Sequence, residues 1–212
     1  MPSCSLPRAF AALVFILLAP PTLHAEDAGS PADLSRRSLV ECEDGRRATD
    51  RAMRRAHFER GQTLAERAVA VDDNEANAHF SLFCNMGELM RIDGESISSV
   101  FQLRRLMGEL DRTLELNPRH ADALSSKGTL LVRLPRILGG DSTKGELLLR
   151  QVLQIDPNAV SSRLTLAKTC VAKGNREEAV AFATRALQIA RSQGRADKVA
   201  EAQATLAELR AH

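Results

Sequence analysis

Three segments of the chain end alike: residues 68–73 read Ala-Val-Ala-Val-Asp-Asp, residues 114–118 read Leu-Glu-Leu-Asn-Pro, and residues 153–157 read Leu-Gln-Ile-Asp-Pro. A fourth segment, residues 186–191, repeats the apolar spacing as Ala-Leu-Gln-Ile-Ala-Arg. The equivalent ends fall at residues 73, 118, 157 and 191, so the intervals are 45, 39 and 34 residues. A recurrence at 34, with longer neighbours that look like insertions, is the period of a helix-turn-helix repeat. The spacing therefore predicts an all-α chain of stacked helix pairs.

The last of these repeats shows how two helices would pair. Small residues recur at helical spacing on both sides of one break, at Ala167, Cys170, Ala179, Ala183 and Ala186. Small side chains let two helices approach closely, and Gly174 in the break can adopt the left-handed conformation that ends a helix. In the two preceding repeats, Pro118 and Pro157 end the second helix, because proline lacks an amide hydrogen and pushes the residue before it out of the helical region.

This pattern of small and apolar residues resembles the tetratricopeptide repeat (TPR) family. Residues 160–191 match it well, with Arg163 where an aromatic or Leu is usual, and residues 121–157 match with Lys127 at a usually apolar position. Residues 77–118 match more loosely, and residues 47–73 hold a second helix, Gly61 to Val71, behind a weakly patterned first one. The resemblance implies a solenoid of about three to four repeats over residues 45–212, preceded by an N-terminal segment or first helix at 26–44. An amphipathic helix from about 195 to 209 would cap its end.

One inter-helix turn, residues 134–145, is unlike a plain repeat turn because it reads Leu-Pro-Arg-Ile-Leu-Gly-Gly-Asp-Ser-Thr-Lys-Gly. It resembles the turn of periplasmic TPR proteins of the TRAP-transporter-associated T-component kind, which implies an accessory to solute uptake that holds a small apolar ligand. The alternative is mechanical. Gly139 and Gly140 would permit a tight turn, and Asp141 would cap the helix that begins near Ser142.

The N-terminus predicts export. Arg8 precedes an apolar run at residues 9–19, followed by two prolines and then Ala25, which is the three-part form of a secretory signal. We expect cleavage after Ala25 and a periplasmic or secreted mature chain. Cleavage would remove Arg8 and no acidic residue, leaving 28 basic and 27 acidic residues and a net charge of +1. So small a charge provides no field to attract nucleic acid or an anionic membrane, and no later segment is apolar enough to insert.

The mature chain would keep three cysteines, Cys42, Cys84 and Cys170, in a compartment that permits disulfides. Three cysteines allow at most one intramolecular bond. Cys42 with Cys84 is the predicted pair, because both fall on early helices that would be neighbours. Three buried free thiols are the alternative.

Motifs for catalysis or cofactor binding do not stand out. The stretch 139–145 has the residues of a phosphate loop in the wrong order, and no Cys or His pair has zinc-ligand spacing. No nucleophile elbow occurs either. We therefore expect a protein that is not an enzyme and has no metal and no cofactor.

In such a solenoid the first helix of each pair lines an extended concave surface. The family register places seven candidate side chains there: Ser81, Asn85, Ser125, Thr129, Arg133, Leu164 and Lys168. The polar ones suit hydrogen bonding to an extended backbone, and Lys168 could meet a carboxylate. This predicts an adaptor that binds a protein or peptide partner in the groove. The second hypothesis is a solute-binding accessory that encloses a small apolar ligand beside residues 135–145.

Overall fold

The computed structural model describes Met1 and residues 29–94 and 98–211, so the predicted signal sequence at residues 1–25 lies, but for Met1, outside the described residues. Within those ranges the chain forms nine α-helices and one short 3-10 turn, Arg136–Leu138. The helices are α1 (Pro31–Arg47), α2 (Arg51–Val71), α3 (Ala76–Asp93), α4 (Ser98–Leu116), α5 (Ala121–Arg133), α6 (Ser142–Ile155), α7 (Val160–Ala172), α8 (Arg176–Ser192) and α9 (Ala196–Ala211). In the described part of the chain, no helix is both long enough and apolar enough to cross a bilayer.

Consecutive helices pack against each other in pairs, α1 with α2, α3 with α4, α5 with α6 and α7 with α8, and α9 packs on the last pair. Odd-numbered helices also contact one another directly, since α1 touches α3, α5 touches α7, and α7 touches α9. Phe80 of α3 and Ala123 of α5 belong to one apolar cluster, which joins the two halves of the series. The odd-numbered helices therefore form one continuous face, as the inner helices of a repeat solenoid do. The predicted all-α solenoid of about three to four repeats with a C-terminal capping helix is confirmed as an all-α helical repeat fold, and the described residues form four helix pairs followed by α9.

Side chains just before several helices satisfy the first free amide hydrogens. The hydroxyl of Ser30 accepts a hydrogen bond from the Asp33 amide at 3.1 Å, and the Asp50 carboxylate accepts one from the Met53 amide at 2.8 Å. Such caps are worth about 1 kcal/mol each. At the other end of a helix, Gly174 has a φ of +80°, which lets α7 end and α8 begin within three residues, as the sequence indicates.

Close approach of paired helices depends on residues with little or no side chain. In the last pair Ala167, Ala179, Ala183 and Ala186 are fully buried. In the α5–α6 pair a methyl group on Gly128 would lie 3.0 Å from the Gly145 carbonyl oxygen, so the two backbones are almost in contact. Small-residue positions in the sequence therefore mark where each pair closes.

A disulfide joins Cys42 of α1 to Cys84 of α3, with their Cα atoms 6.4 Å apart. Both residues are buried beside Phe58 and Ile92. Cys170 is a free, buried thiol on α7. The covalent bond thus links the first helices of the first and second pairs.

The beginning of the repeat array differs from the expected one. Helix α2 runs unbroken from Arg51 to Val71, so the expected weak first helix after residue 47 is wrong, and its place is taken by α1. The expected boundary between residues 44 and 45 falls inside α1. The physical reason is that α1 buries small and polar residues, including Ser35, Ser38 and Gly45, which give no apolar periodicity in the sequence.

Candidate functional site

Four of the seven candidate groove residues lie on accessible parts of the odd-numbered helices. On α5, Ser125 and Thr129 are half-buried and Arg133 is exposed, and on α7 Lys168 is exposed. The Ser125 and Ser162 hydroxyl oxygens are 2.8 Å apart, which links α5 to α7. These side chains follow one another along the face where the odd-numbered helices meet.

The other three candidates lie inside the molecule, so their assignment to an open groove is wrong. Ser81 and Asn85 have no exposed surface, because α1 covers the side of α3 from which they project. The Asn85 amide donates hydrogen bonds to the carbonyl and hydroxyl oxygens of Ser38 at 3.2 and 2.9 Å, so it fastens α3 to α1. Leu164 is 1% exposed in the core between α7, α8 and α9.

Lys168 already has a carboxylate partner within the chain. Its Nζ donates to an Oε of Glu201 on α9 at 3.3 Å, and Lys198 donates to the same carboxylate at 2.8 Å. Burial alone would raise the pKa of Glu201, but the hydrogen bonds and charges of Lys198 and Lys168 lower it below the ordinary value. Because the Lys168 and Glu201 side chains are 46% and 35% exposed, a second carboxylate can reach the Lys168 ammonium group.

Two further residues of this face were not found from the sequence. Thr165 of α7 lies opposite Thr129, with 3.5 Å between their hydroxyl oxygens, and Glu201 belongs to the terminal helix α9, which the sequence predicts as a cap. A signal existed for Thr165, since it stands three residues before Lys168 and one helical turn after Ser161 and Ser162, on the same stretch of α7.

A groove of about 420 Å³ runs beside α1, and sequence analysis also missed it. It is lined by Ala32, Arg36, Leu39, Val40 and Glu43 of α1 and by Asn77 of α3. Apart from the adjacent pair Leu39 and Val40, the α1 residues are three or four positions apart, so they lie on one side of the helix. The sequence gives no signal for this face, because α1 buries mainly small and polar residues and so lacks apolar periodicity. The face formed by the odd-numbered helices thus has a partly apolar section at α1 and a section rich in hydroxyl groups at α5 and α7.

Among the histidines that the structure describes, the most buried one makes structural contacts with both of its ring nitrogens. His79 is 4% exposed, and its ring nitrogens lie 2.8 Å from a Glu109 carboxylate oxygen and 3.0 Å from the Asp73 carbonyl oxygen. Arg112 donates to the same carbonyl at 3.2 Å. These contacts tie the α2–α3 turn to α4. In residues 29–94 and 98–211, no three His, Cys, Asp or Glu side chains are placed to hold a metal ion.

The turn between α5 and α6 has the mechanical features that the sequence indicates. Gly139 has a φ of +88°, and the Asp141 carboxylate accepts a hydrogen bond from the Lys144 amide at 3.0 Å, which caps α6. The Asp141 amide also donates to the Leu131 carbonyl at 2.9 Å, so the turn is anchored to α5. Ile137 is 91% exposed, and Leu138 is 40% exposed, so these two side chains lie in solvent.

Comparison with known proteins agrees with this architecture. Residues 140–199 match the model of a tetratricopeptide repeat. A thermophilic TPR protein from Thermus thermophilus has 20% identity and a TM-score of 0.62, over 85% of this chain and 84% of that one. PilF of Pseudomonas aeruginosa has 16% identity and a TM-score of 0.55, over 84% of this chain and 71% of that one. MamA has 18% identity and a TM-score of 0.52, over 80% of this chain and 83% of that one. No curated protein sequence matches the chain.

At these identities the likeness to solved structures concerns the fold alone. Residues 140–199 carry the sequence pattern of a tetratricopeptide repeat, and the described helices together have the TPR fold. TPR arrays are generally non-catalytic scaffolds that bind proteins or peptides through extended concave surfaces.

Proposed function

We propose that the chain is an exported, non-catalytic TPR adaptor that binds a protein or peptide along the face of its odd-numbered helices. One observation carries this proposal: Ser125, Thr129, Thr165 and Lys168 follow one another across α5 and α7 and are all at least partly accessible. A row of short hydroxyl groups ending in a lysine offers donors and acceptors to an extended backbone and a cation to a carboxylate.

The contacts within this row leave room for a partner. Hydroxyl groups both donate and accept, so Ser125 and Thr129 can accept a hydrogen bond from a partner's amide while they contact Ser162 and Thr165. At Lys168 a partner's carboxylate can share or replace the interaction with Glu201, because that pair is solvent-accessible and such pairs contribute little stability. The apolar groove beside α1 would receive an apolar side chain of the same partner.

Two features support export as part of the proposal. The N-terminal sequence has the form of a secretory signal, and the pairing of Cys42 with Cys84 suits a compartment where disulfides persist. Native and denaturing mass spectra of protein recovered from its own host test this directly. A chain that starts at Glu26 and has lost two hydrogens is the expected result, and a chain that retains residues 1–25 would contradict export.

The same native spectrum tests the adaptor role, because a bound polypeptide would appear as added mass. Lys168→Glu should then weaken the partner's binding about tenfold, the usual effect of losing a hydrogen bond to a charged group. Arg191→Glu, which alters an exposed cation on the even-numbered helix α8, is the matched control and should leave binding unchanged. Full binding by the Lys168→Glu variant would show that the partner lies elsewhere. An added mass of a few hundred daltons instead of a polypeptide would favour a small-molecule carrier.

A further inference from the structure

Large apolar side chains are exposed mainly along one edge of the solenoid. Apart from Met1, ten of them in the described ranges are at least 38% exposed. Eight lie where the two helices of a pair are joined: Met53, Val100, Phe101, Ile137, Leu138, Leu147, Val171 and Val180. We refer to this edge, formed by the last residues of the odd-numbered helices α1 to α7, the first residues of the even-numbered helices α2 to α8 and the turn at residues 134–141, as the hairpin edge.

The topology places these residues together. Met53 is the third residue of α2 and Phe101 the fourth of α4, whereas Val171 is the last but one of α7. Leu147 lies deepest, as the sixth residue of α6, about 8 Å from the helix start at 1.5 Å per residue. In a stack of antiparallel pairs every such turn lies on the same side. The two remaining exposed side chains are Val40, in the middle of α1, and Val71, at the opposite edge.

Single exposed apolar residues are ordinary on protein surfaces, but this distribution is one-sided. Ile137 is 91% exposed and Phe101 72% exposed, and each belongs to a different helix pair. The turn that carries Ile137 is held by hydrogen bonds from the Gly140 amide to the Pro135 carbonyl and from the Asp141 amide to the Leu131 carbonyl. Ile137 is therefore presented by an ordered backbone, and binding through it loses little conformational entropy.

Positive charge accompanies the apolar residues. Six exposed cations near the hairpin edge have no ion pair within the described part of the chain: Arg51, Arg104, Arg133, Arg136, Lys144 and Arg176. Among the described acidic residues at this edge, Asp93 pairs with Arg55, whereas Asp50, Asp141 and Glu177 have no cationic partner, although Asp50 and Asp141 accept hydrogen bonds from helix amides. Positive charge is thus in excess along the edge, although the whole chain is almost neutral.

We propose that the hairpin edge rests on an anionic lipid bilayer, with its apolar side chains in the headgroup and acyl boundary. Successive helices pack 8–10 Å apart, so the apolar residues are spread in a row and do not form one patch. A protein partner would need a matching socket for each of them, whereas a bilayer accepts scattered apolar side chains without shape complementarity. Because the net charge of the chain is small, the attraction is short-range and depends on the cations of the edge itself.

Vesicle co-sedimentation tests this, with phosphatidylcholine vesicles containing 30% phosphatidylglycerol and with pure phosphatidylcholine vesicles. Phe101→Ser with Ile137→Ser should lower partitioning onto the anionic vesicles about tenfold. Arg133→Gln with Arg136→Gln should lower it about fivefold for each cation at low salt, and by less in 0.5 M NaCl. Every protein in this test is the chain that begins at Glu26, which contains all the described helices, so the apolar run at residues 9–19 is absent from each.

Matched controls come from the rest of the surface. Val40→Ser with Val71→Ser removes two exposed apolar side chains away from the edge, and Arg119→Gln with Arg191→Gln removes two cations near the opposite edge. Both control variants should bind within twofold of the wild-type protein.

Three results would overturn the proposal. The first is equal wild-type binding to both kinds of vesicle, and the second is a loss in the controls as large as in the edge variants. In the third, vesicles remain unbound while a polypeptide from the host is lost only from the Phe101→Ser, Ile137→Ser variant. That result would assign the edge to a protein partner.

Discussion

The contact between Gly61 of α2 and Asn85 of α3 predicts that Gly61→Ala destabilises the protein. A methyl group on Gly61 would lie 2.5 Å from the Asn85 Cγ and 2.7 Å from its Nδ2, which is closer than such atoms approach in proteins. The amide cannot move aside freely, because it is fully buried and donates to the carbonyl and hydroxyl oxygens of Ser38. Insertion of one methyl group therefore strains the junction of α1, α2 and α3.

The expected magnitude is the sum of three contributions. Overpacking of a filled site costs about 1–3 kcal/mol. Displacement of a buried amide from its acceptors costs about 1–3 kcal/mol. Alanine in place of glycine within a helix stabilises the helix by about 1 kcal/mol, which offsets part of this cost. The free energy of unfolding should therefore fall by about 3 kcal/mol.

Urea unfolding followed by far-ultraviolet circular dichroism measures this change, since the chain has no Trp or Tyr to report by fluorescence. Gly108→Ala is the matched control: Gly108 is exposed within α4, and a methyl group there meets no atom within 4 Å. The free energy of unfolding of the Gly108→Ala variant should rise by up to about 1 kcal/mol. Addition of Asn85→Ala to the Gly61→Ala protein should relieve part of the strain. If the two glycine variants shift stability alike, the packing argument is refuted.

Three other predictions concern cysteine and carboxylate chemistry. Reduction of the Cys42–Cys84 bond, whose cysteines are 42 residues apart, should lower the free energy of unfolding by about 4 kcal/mol in urea titrations with and without reductant; overlapping curves would contradict this. Burial raises the pKa of the Cys170 thiol to about 11, so alkylation at pH 8, read by peptide mass mapping, should be slow in the native protein and fast in urea. A hydrogen bond from Lys173 lowers the pKa of Glu146 below its ordinary 4.5. The stability that this pair contributes is therefore complete above about pH 5 and declines as the pH falls through the lowered pKa. In urea titrations at a series of pH values, Glu146→Gln should therefore make the midpoint urea concentration fall less steeply below pH 5.

The C-terminal part of the fold could be predicted because its signals are local. Ala179, Ala183 and Ala186 recur at helical spacing and are all fully buried, and Gly174 breaks the helix where expected. Lys127, at a usually apolar position, still fits the repeat because its ammonium group pairs with Asp111 of α4. Repeats whose contacts follow from small residues and turn glycines are thus visible in the sequence.

The N-terminal part and the site were harder to predict because their contacts join distant residues. Ser38 and Asn85 bond across 47 positions, and polar residues of this kind usually indicate a solvated surface. Leu164 takes a position that the repeat pattern assigns to the groove, but α8 and α9 cover it. Which polar residues are exposed to solvent therefore depends on how the neighbouring helices pack across them. The repeat pattern in the sequence does not specify the angle between packed helices.

The disulfide has a mechanical consequence for a chain held at both ends. Tension applied at the termini would pass from α1 to α3 through the bond between Cys42 and Cys84, so that α2 bears no load. The bridged residues are 42 positions apart, and at about 3.5 Å each they represent about 150 Å of contour that the oxidised chain cannot release. Extension under force would therefore come from the chain outside this loop, mainly from α4 to α9, whereas reduction of the bond would also release the residues between Cys42 and Cys84.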